Sequence, residues 1–246
     1  MKEFYKNSSP YVIVGDGRVA KHIQHYFSLY DIPYVGWSRK IATEVLYNHA
    51  LQSDVILLPI SDDAIVPFIN SHEILKKKVL VHFSGSLVTN LACGMHPLMT
   101  FGKKLYPTNF YPGIPFIGES TGPCFKNLFP ALLNPFFTID KKNKAYYHAL
   151  CVMSGNFTNI LWQKIISHFE NEFKIPKDAL IPYLLKTFEN IKDDPFDNLS
   201  GPIARGDTKT TTRNLDSLKN DEFHDIYQGF CKINLTELRG ETYASK

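Results

Sequence analysis

Gly15, Gly17 and Ala20 close the apolar run Tyr11 to Val14 and precede a segment with helical patterning, Val19 to Leu29. This is the spacing of a dinucleotide-binding turn, in which a pyrophosphate lies at a helix N-terminus. Gly15 allows the chain to turn sharply. Gly17 lets the backbone approach the phosphates, and Ala20 is small enough for close helix–strand packing. Gly15, Asp16, Gly17, Arg18 and Val19 are the expected cofactor-binding residues of the turn. A plain strand–turn–helix connection is the other reading of the same string.

The next apolar run, Tyr34 to Trp37, follows at βαβ distance and ends in Ser38-Arg39-Lys40. A site for NAD usually carries an acidic residue here to bind the ribose hydroxyls. This chain has none. Ser38 can donate a hydrogen bond to a 2′-phosphate and Arg39 can pair with it in a forked geometry. The expected cofactor is therefore NADPH in preference to NADH. The alternative is that Arg39 and Lys40 are solvated charges at a strand end.

Further polar residues fall where ligands collect in open α/β sheets, beyond the carboxyl ends of the strands. Ser61 and Asp62 follow the run Val55 to Leu58; they either contact the cofactor or cap the helix Ala64 to Asn70. His82, inside the run Val79 to Phe83, reads as a satisfied core histidine, and Ser84 after it as the better site candidate. His96 precedes Pro97, which holds it extended. A fixed imidazole in a loop suits proton donation or carbonyl polarisation, unless it only orders the loop. His148, Val152, Asn156 and Asn159 recur at spacings of four, four and three, so they share one helix face. That face either holds substrate or meets solvent. Near the C-terminus, Gly201-Pro202-Ile203-Ala204-Arg205-Gly206-Asp207 shapes a turn. Arg205 can grip a carboxylate bidentately, and Asp207 can orient Arg205 or cap the next segment. A salt-bridged turn is the alternative.

These residues need a scaffold of alternating strands and helices. The first half supplies it, with four apolar runs separated by helical segments, which implies a doubly wound parallel sheet. Between Gly94 and Pro135 proline and glycine are frequent. Phe116-Ile117 and Phe136 to Ile139 read as later strands joined by loops. After Asp140 only helical patterns follow: Lys144 to Phe173, broken by Gly155, then Lys177 to Ile191 and Asp221 to Arg239, with the polar loop Lys192 to Arg213 between the last two. The expected architecture is α/β, an N-terminal Rossmann doubly wound sheet (1–140) followed by an all-helical domain (141–246).

Composition narrows the partners. A net charge of +3, with no basic run interleaved with aromatics, argues against nucleic acid. No apolar run approaches membrane-spanning length. The polar start Met1 to Pro10 lacks a signal-peptide core. The four cysteines form no Cys-x-x-Cys pair, so neither a disulfide framework nor a metal site is expected, and a reducing cytoplasm is the default.

Taken together, the strings resemble a Rossmann-like family with a helical C-terminal domain of unknown function, related to 6-phosphogluconate dehydrogenase and pyrroline carboxylate reductase. The resemblance rests on Val14-Gly15-Asp16-Gly17-Arg18-Val19, His82-Phe83-Ser84-Gly85 and Gly94-Met95-His96-Pro97-Leu98-Met99-Thr100-Phe101. It extends through Tyr147-His148-Ala149, Ser154-Gly155-Asn156 and Gly201 to Asp207. Some bacterial members look like alternative ketopantoate reductases, and this chain is similar to those. The resemblance implies NADPH-dependent reduction of ketopantoate to pantoate, on the path to coenzyme A, by a homodimer. Ordinary ketopantoate reductases carry a proton-donating lysine one turn before a helix Asn. If Asn156 matches that Asn, Val152 stands at the lysine position. The expected roles are Arg205 on the carboxylate, Asn156 and Ser84 on the ketone, and His96, His148 or water as the acid. Asp207 and Asn159 complete the substrate site between the domains. A reductase of another 2-keto acid or an imine, and a non-catalytic NADPH-binding sensor, are the alternatives.

Overall fold

Short apolar runs become strands because both faces of a central parallel sheet are covered. The computed structural model describes residues 9–196 and 198–235. The strands are β1 (Tyr11–Val14), β2 (Tyr34–Trp37), β3 (Val55–Leu58), β4 (Val79–His82), β5 (Cys93–Pro97), β6 (Phe116–Glu119) and β7 (Phe136–Ile139). They form one sheet in the order β2-β1-β3-β4-β5-β6-β7. The first five are parallel; β6 runs antiparallel to β5 and carries β7 parallel to itself. Strand order reverses between β1 and β3, which opens a crevice at their carboxyl ends.

Side chains alternate across the sheet. Ile13, Leu57 and Val81 point to one face and pack with Ala20, Ile23 and Phe27 of α1 (Arg18–Leu29). Val12, Val14, Ile56, Leu58 and Leu80 point to the other, against α2 (Thr43–Leu51) and α3 (Asp62–Ser71). Each fully buried aliphatic side chain contributes about 1.5–3 kcal/mol. Ala20 is completely buried, as its place in the turn motif requires.

The segment around His96 departs from expectation. Its residue types suggest a loop, yet Cys93–Pro97 is strand β5, and His96 pairs with Ile117 of β6. Glycine, methionine and proline give a weak strand signal alone; pairing on both sides supplies what propensity lacks. β6 ends in Glu119, whose carboxylate meets Lys144 at 2.9 Å with both groups more than nine-tenths buried. Lys141 approaches the same carboxylate at 3.4 Å.

After the short α4 (Phe125–Leu128) and β7, the regular elements among the described residues are helical: α5 (Lys144–Cys151), a π-helical turn over Val152–Phe157, α6 (Thr158–Asn171), α7 (Ile181–Asp193), α8 (Thr208–Ser217) and α9 (His224–Cys231). The expected long helix from Lys144 is continuous but carries the wide turn in its middle. The polar stretch Lys192 to Arg213 is not all loop, since α8 starts at Thr208. Asp207 caps it, accepting from Thr210 N at 3.0 Å, and this offsets the weak helix propensity of the threonines. Residues 1–8 and 236–239, parts of the expected polar start and of the last expected helix, lie outside the described residues. Strands end at Ile139, while the chain divides into compact units between Leu161 and Trp162. No helix among the described residues is long and apolar enough to cross a membrane.

The Glu119–Lys144 pair generates a prediction. Glu119→Gln leaves the Lys144 ammonium buried and unpaired, and is expected to cost about 3–5 kcal/mol in urea unfolding. Replacing both residues together, Glu119→Leu with Lys144→Met, is expected to recover most of that loss.

Candidate functional site

At the β1/β3 switch lies a cavity of about 720 Å³. The glycine turn forms one wall. Gly15 has φ +125°, and a Cβ there would meet Pro59 O at 3.0 Å and Ile60 at 3.1 Å, so only glycine is accommodated. Gly17 is the N-cap of α1, and a Cβ on it would meet nothing within 4 Å. No side chain caps α1 and its first turn holds no acid. Its first amide groups and positive dipole end therefore suit an anion. Asp16, Arg18, Val19, Ser38, Arg39 and Ser61 also line the cavity, with Trp37, Phe68 and His72 giving it an aromatic side. Lys40 is solvent-exposed and pairs with Asp16 at 2.6 Å, which holds the Asp16 carboxyl below its ordinary range. The pairing offsets the one acidic charge of the turn.

Beyond this cavity comes the turn after β4. Ser61 sits at the N-cap of α3 but makes no capping hydrogen bond. Asp62 faces away from the first cavity's lining and toward the turn. Its carboxylate accepts hydrogen bonds from Ser84 Oγ and, at 3.1 Å, from Ser86 Oγ. Ser84 Oγ in turn accepts from Ser86 N at 3.2 Å and Leu87 N at 2.9 Å. Two sequence expectations change here. Ser84 is buried, and its only proton goes to Asp62, so it has none to give a substrate carbonyl. Asp62, expected on the cofactor, organises the turn instead.

Gly85 lies between these serines. A Cβ on Gly85 would stand 2.4 Å from His148 Cδ2 and 3.2 Å from His96 Cδ2. The two rings meet edge to face, with centroids 5.8 Å apart. Both line a second cavity of about 330 Å³ with Thr100, Cys151, Val152 and Asn156. The π turn, built over Ser154-Gly155-Asn156, widens the helix and directs this stretch at the cavity. Such turns recur at functional sites. Asn156 is exposed in the chain and lines the cavity, whereas Asn159, one of the four stripe residues, does not. The uniform helical spacing behind the stripe fails because the π turn changes the register.

His96 Nδ1 lies 2.7 Å from Tyr147 Oη, a partner that the sequence reading missed. Tyr147 precedes His148 in the helix, which was the available signal. Burial pushes the His96 imidazole down to about 4, with His148 and Lys144 acting in the same direction and Asp62 opposing. The ring is neutral at pH 7.

His82 also differs from expectation. It is fully buried, but it is not satisfied: both ring nitrogens lack hydrogen-bond partners among the described residues. Arg205 and Asp207 belong to the second compact unit. Arg205 is exposed on a turn in which Gly201 and Gly206 take φ of +114° and +67°. Asp207 gives its carboxylate to Thr210, so of its two expected roles it fills the cap.

Residues 118–233 match the family model described as a domain of unknown function (DUF2520). A comparison with curated proteins gives no match. Among solved structures, a Bacteroides fragilis protein described as a candidate NADP oxidoreductase is 19% identical, with a TM-score of 0.73 over 92% of this chain and 97% of that one. A Thermotoga maritima protein is 22% identical, with a TM-score of 0.65 over 95% and 99%. Plasmodium falciparum pyrroline carboxylate reductase, solved with NADP bound, is 14% identical, with a TM-score of 0.57 over 92% and 96%. The likeness is one of fold: a Rossmann-like sheet followed by a helical C-terminal region.

The orphaned His82 ring makes stability depend on pH. Burial, with Lys144 adding to it, pushes its pKa from 6.5 down to about 4, against the pull of Glu119 and Asp62. The unfolded chain therefore binds a proton that the folded chain rejects. The stabilisation is full above pH 6.5 and is lost as pH falls toward 4. His82→Leu is expected to reduce the drop in unfolding free energy between pH 7 and pH 5 by about 2 kcal/mol, measured by urea denaturation.

Proposed function

We propose that this chain is an NADPH-dependent reductase of a small 2-keto acid, with 2-dehydropantoate (ketopantoate) as its substrate. One observation carries the reading. The single turn Ser84 to Ser86 is tied on one side to Asp62, beside the cavity with an anion-binding helix end, and on the other to His96 and His148 of the second cavity.

The first cavity fits the cofactor. Gly15 to Val19 would hold the pyrophosphate, Ser38 and Arg39 the 2′-phosphate, and Ser61 the part nearer the turn. Bound NADPH supplies a hydride. The chain's own residues bind and polarise the hydride acceptor. Asn156 offers its amide to the carbonyl, His96 offers an imidazole nitrogen, and His148 or a bound water gives up the proton that the reduced oxygen takes, along the wall of the second cavity. The sequence strings assign the substrate carboxylate to Arg205.

An imine substrate is the second reading, and a specific observation favours it. With Asn156 taken as the family's helix Asn, Val152 stands at the lysine position of ordinary ketopantoate reductases, and His96 is held neutral. An iminium brings its own proton, whereas a ketone needs one. The exposed apolar side chains of the second unit, among them Tyr183, Leu185, Phe188 and Ile191 of α7, support a homodimer that covers them.

The decisive measurement is NADPH oxidation against a panel of 2-keto acids and cyclic imines. Turnover is expected to be fastest with ketopantoate; preference for an imine selects the second reading, and tight NADPH binding without any turnover overturns both. In the same assay Arg39→Ala is expected to raise KM for NADPH roughly tenfold while leaving NADH nearly unchanged. Sedimentation velocity is expected to give a dimer, and a monomer at micromolar concentration would remove that assignment.

A further inference from the structure

We propose that Tyr147 is a positioning residue that fixes His96 as the Nε2–H tautomer, so that a neutral imidazole donates a hydrogen bond to the substrate. The inference rests on the reductase reading for the identity of the acceptor, but its geometric part does not.

Tyr147 Oη and His96 Nδ1 are 2.7 Å apart, so one of them donates to the other. The phenol holds its proton, because burial pushes its pKa above the ordinary range and the neighbouring Cys151 acts in the same direction. That proton has two possible acceptors, the imidazole nitrogen and the Cys151 sulfur. An unprotonated imidazole nitrogen is much the better acceptor than a thiol sulfur. The phenol therefore donates to Nδ1, and the single ring proton of neutral His96 sits on Nε2.

Nε2 is available. It has no hydrogen-bond partner among the described residues, and it is not sealed off as the nitrogens of His82 are. His96 lines the second cavity, and we place this N–H toward it. The surroundings of the ring keep it neutral: His148 and Lys144 on α5 and His82 on β4 disfavour a second positive charge, against Asp62 at the start of α3. A neutral imidazole held this way stabilises negative charge developing on a carbonyl oxygen without first having to take up a proton. No proton transfer by Tyr147 is required, since its hydroxyl stays bonded to Nδ1 throughout.

The test uses full-length protein labelled with 15N at histidine. In the wild type at pH 7, His96 is expected to show a protonated Nε2 and a bare Nδ1, and to stay neutral down to about pH 5. In Tyr147→Phe it is expected to show a mixture of tautomers and to titrate nearer an ordinary histidine. With the best substrate of the panel, kcat is expected to fall about 10- to 100-fold in Tyr147→Phe, with KM for NADPH unchanged and the acidic limb of the pH profile moved upward. A wild-type His96 protonated on Nδ1, or doubly protonated at pH 7, overturns the proposal; this needs no variant and no turnover. An unchanged kcat and pH profile in a folded Tyr147→Phe also overturns it. Absence of turnover with the expected tautomer present counts against the reductase reading and removes the donor role, while leaving the tautomer assignment supported.

Discussion

A methyl group does not fit at residue 85. The space it would take is filled by the His148 ring, with the His96 ring close behind. This close approach joins the turn after β4 to strand β5 and helix α5, three pieces of chain far apart in sequence. It fixes the distance between the imidazoles. Because Ser84 and Ser86 on either side are bonded to Asp62, it also fixes where both rings stand relative to the start of α3. The turn is short and its polar groups are nearly all used internally. It ties the Asp62 end of α3 to the two imidazoles, and the His148 and His96 rings could not keep their places if the turn moved.

The buried charges Glu119 and Lys144 neutralise each other where α5 begins, and at the surface Lys40 pairs with Asp16 of the glycine turn. The α1 N-terminus has no acid and no cap, so its partial positive charge is unanswered by the described residues. In the second cavity the imidazole of His96 is kept neutral by burial, and its polarity is expressed through direction instead of charge. His82 is the exception, a polar ring with no partner among the described residues, and it makes the folded state costly in acid.

Much of the scaffold was legible in the sequence. Tyr11–Val14 and Val55–Leu58 are continuous apolar runs buried in the sheet, and Tyr34–Trp37 is a half-buried run at its edge; all three form strands with the boundaries the runs suggest. Gly15 announced the turn because its positive φ and close approach to Pro59 leave room for little but glycine. Strand β5 was not legible, since its residues have little intrinsic preference for a strand and are held by their neighbours. The π turn was hidden for a similar reason: Ser154-Gly155-Asn156 weakens a helix, but the wider turn depends on how the helix is held on either side.

The sequence by itself determined the order of elements, the position of the glycine turn and which residues could carry chemistry, because these depend on local pattern and on side-chain type. Only the tertiary structure decided which of those residues act together. It turned Ser84 and Asp62 inward to organise a turn, set Asn159 apart from the cavity that Asn156 lines, and brought Tyr147 onto His96. The physical reason is that a hydrogen-bonding group can serve one partner at a time. Which partner it serves depends on distances between segments that the sequence leaves far apart.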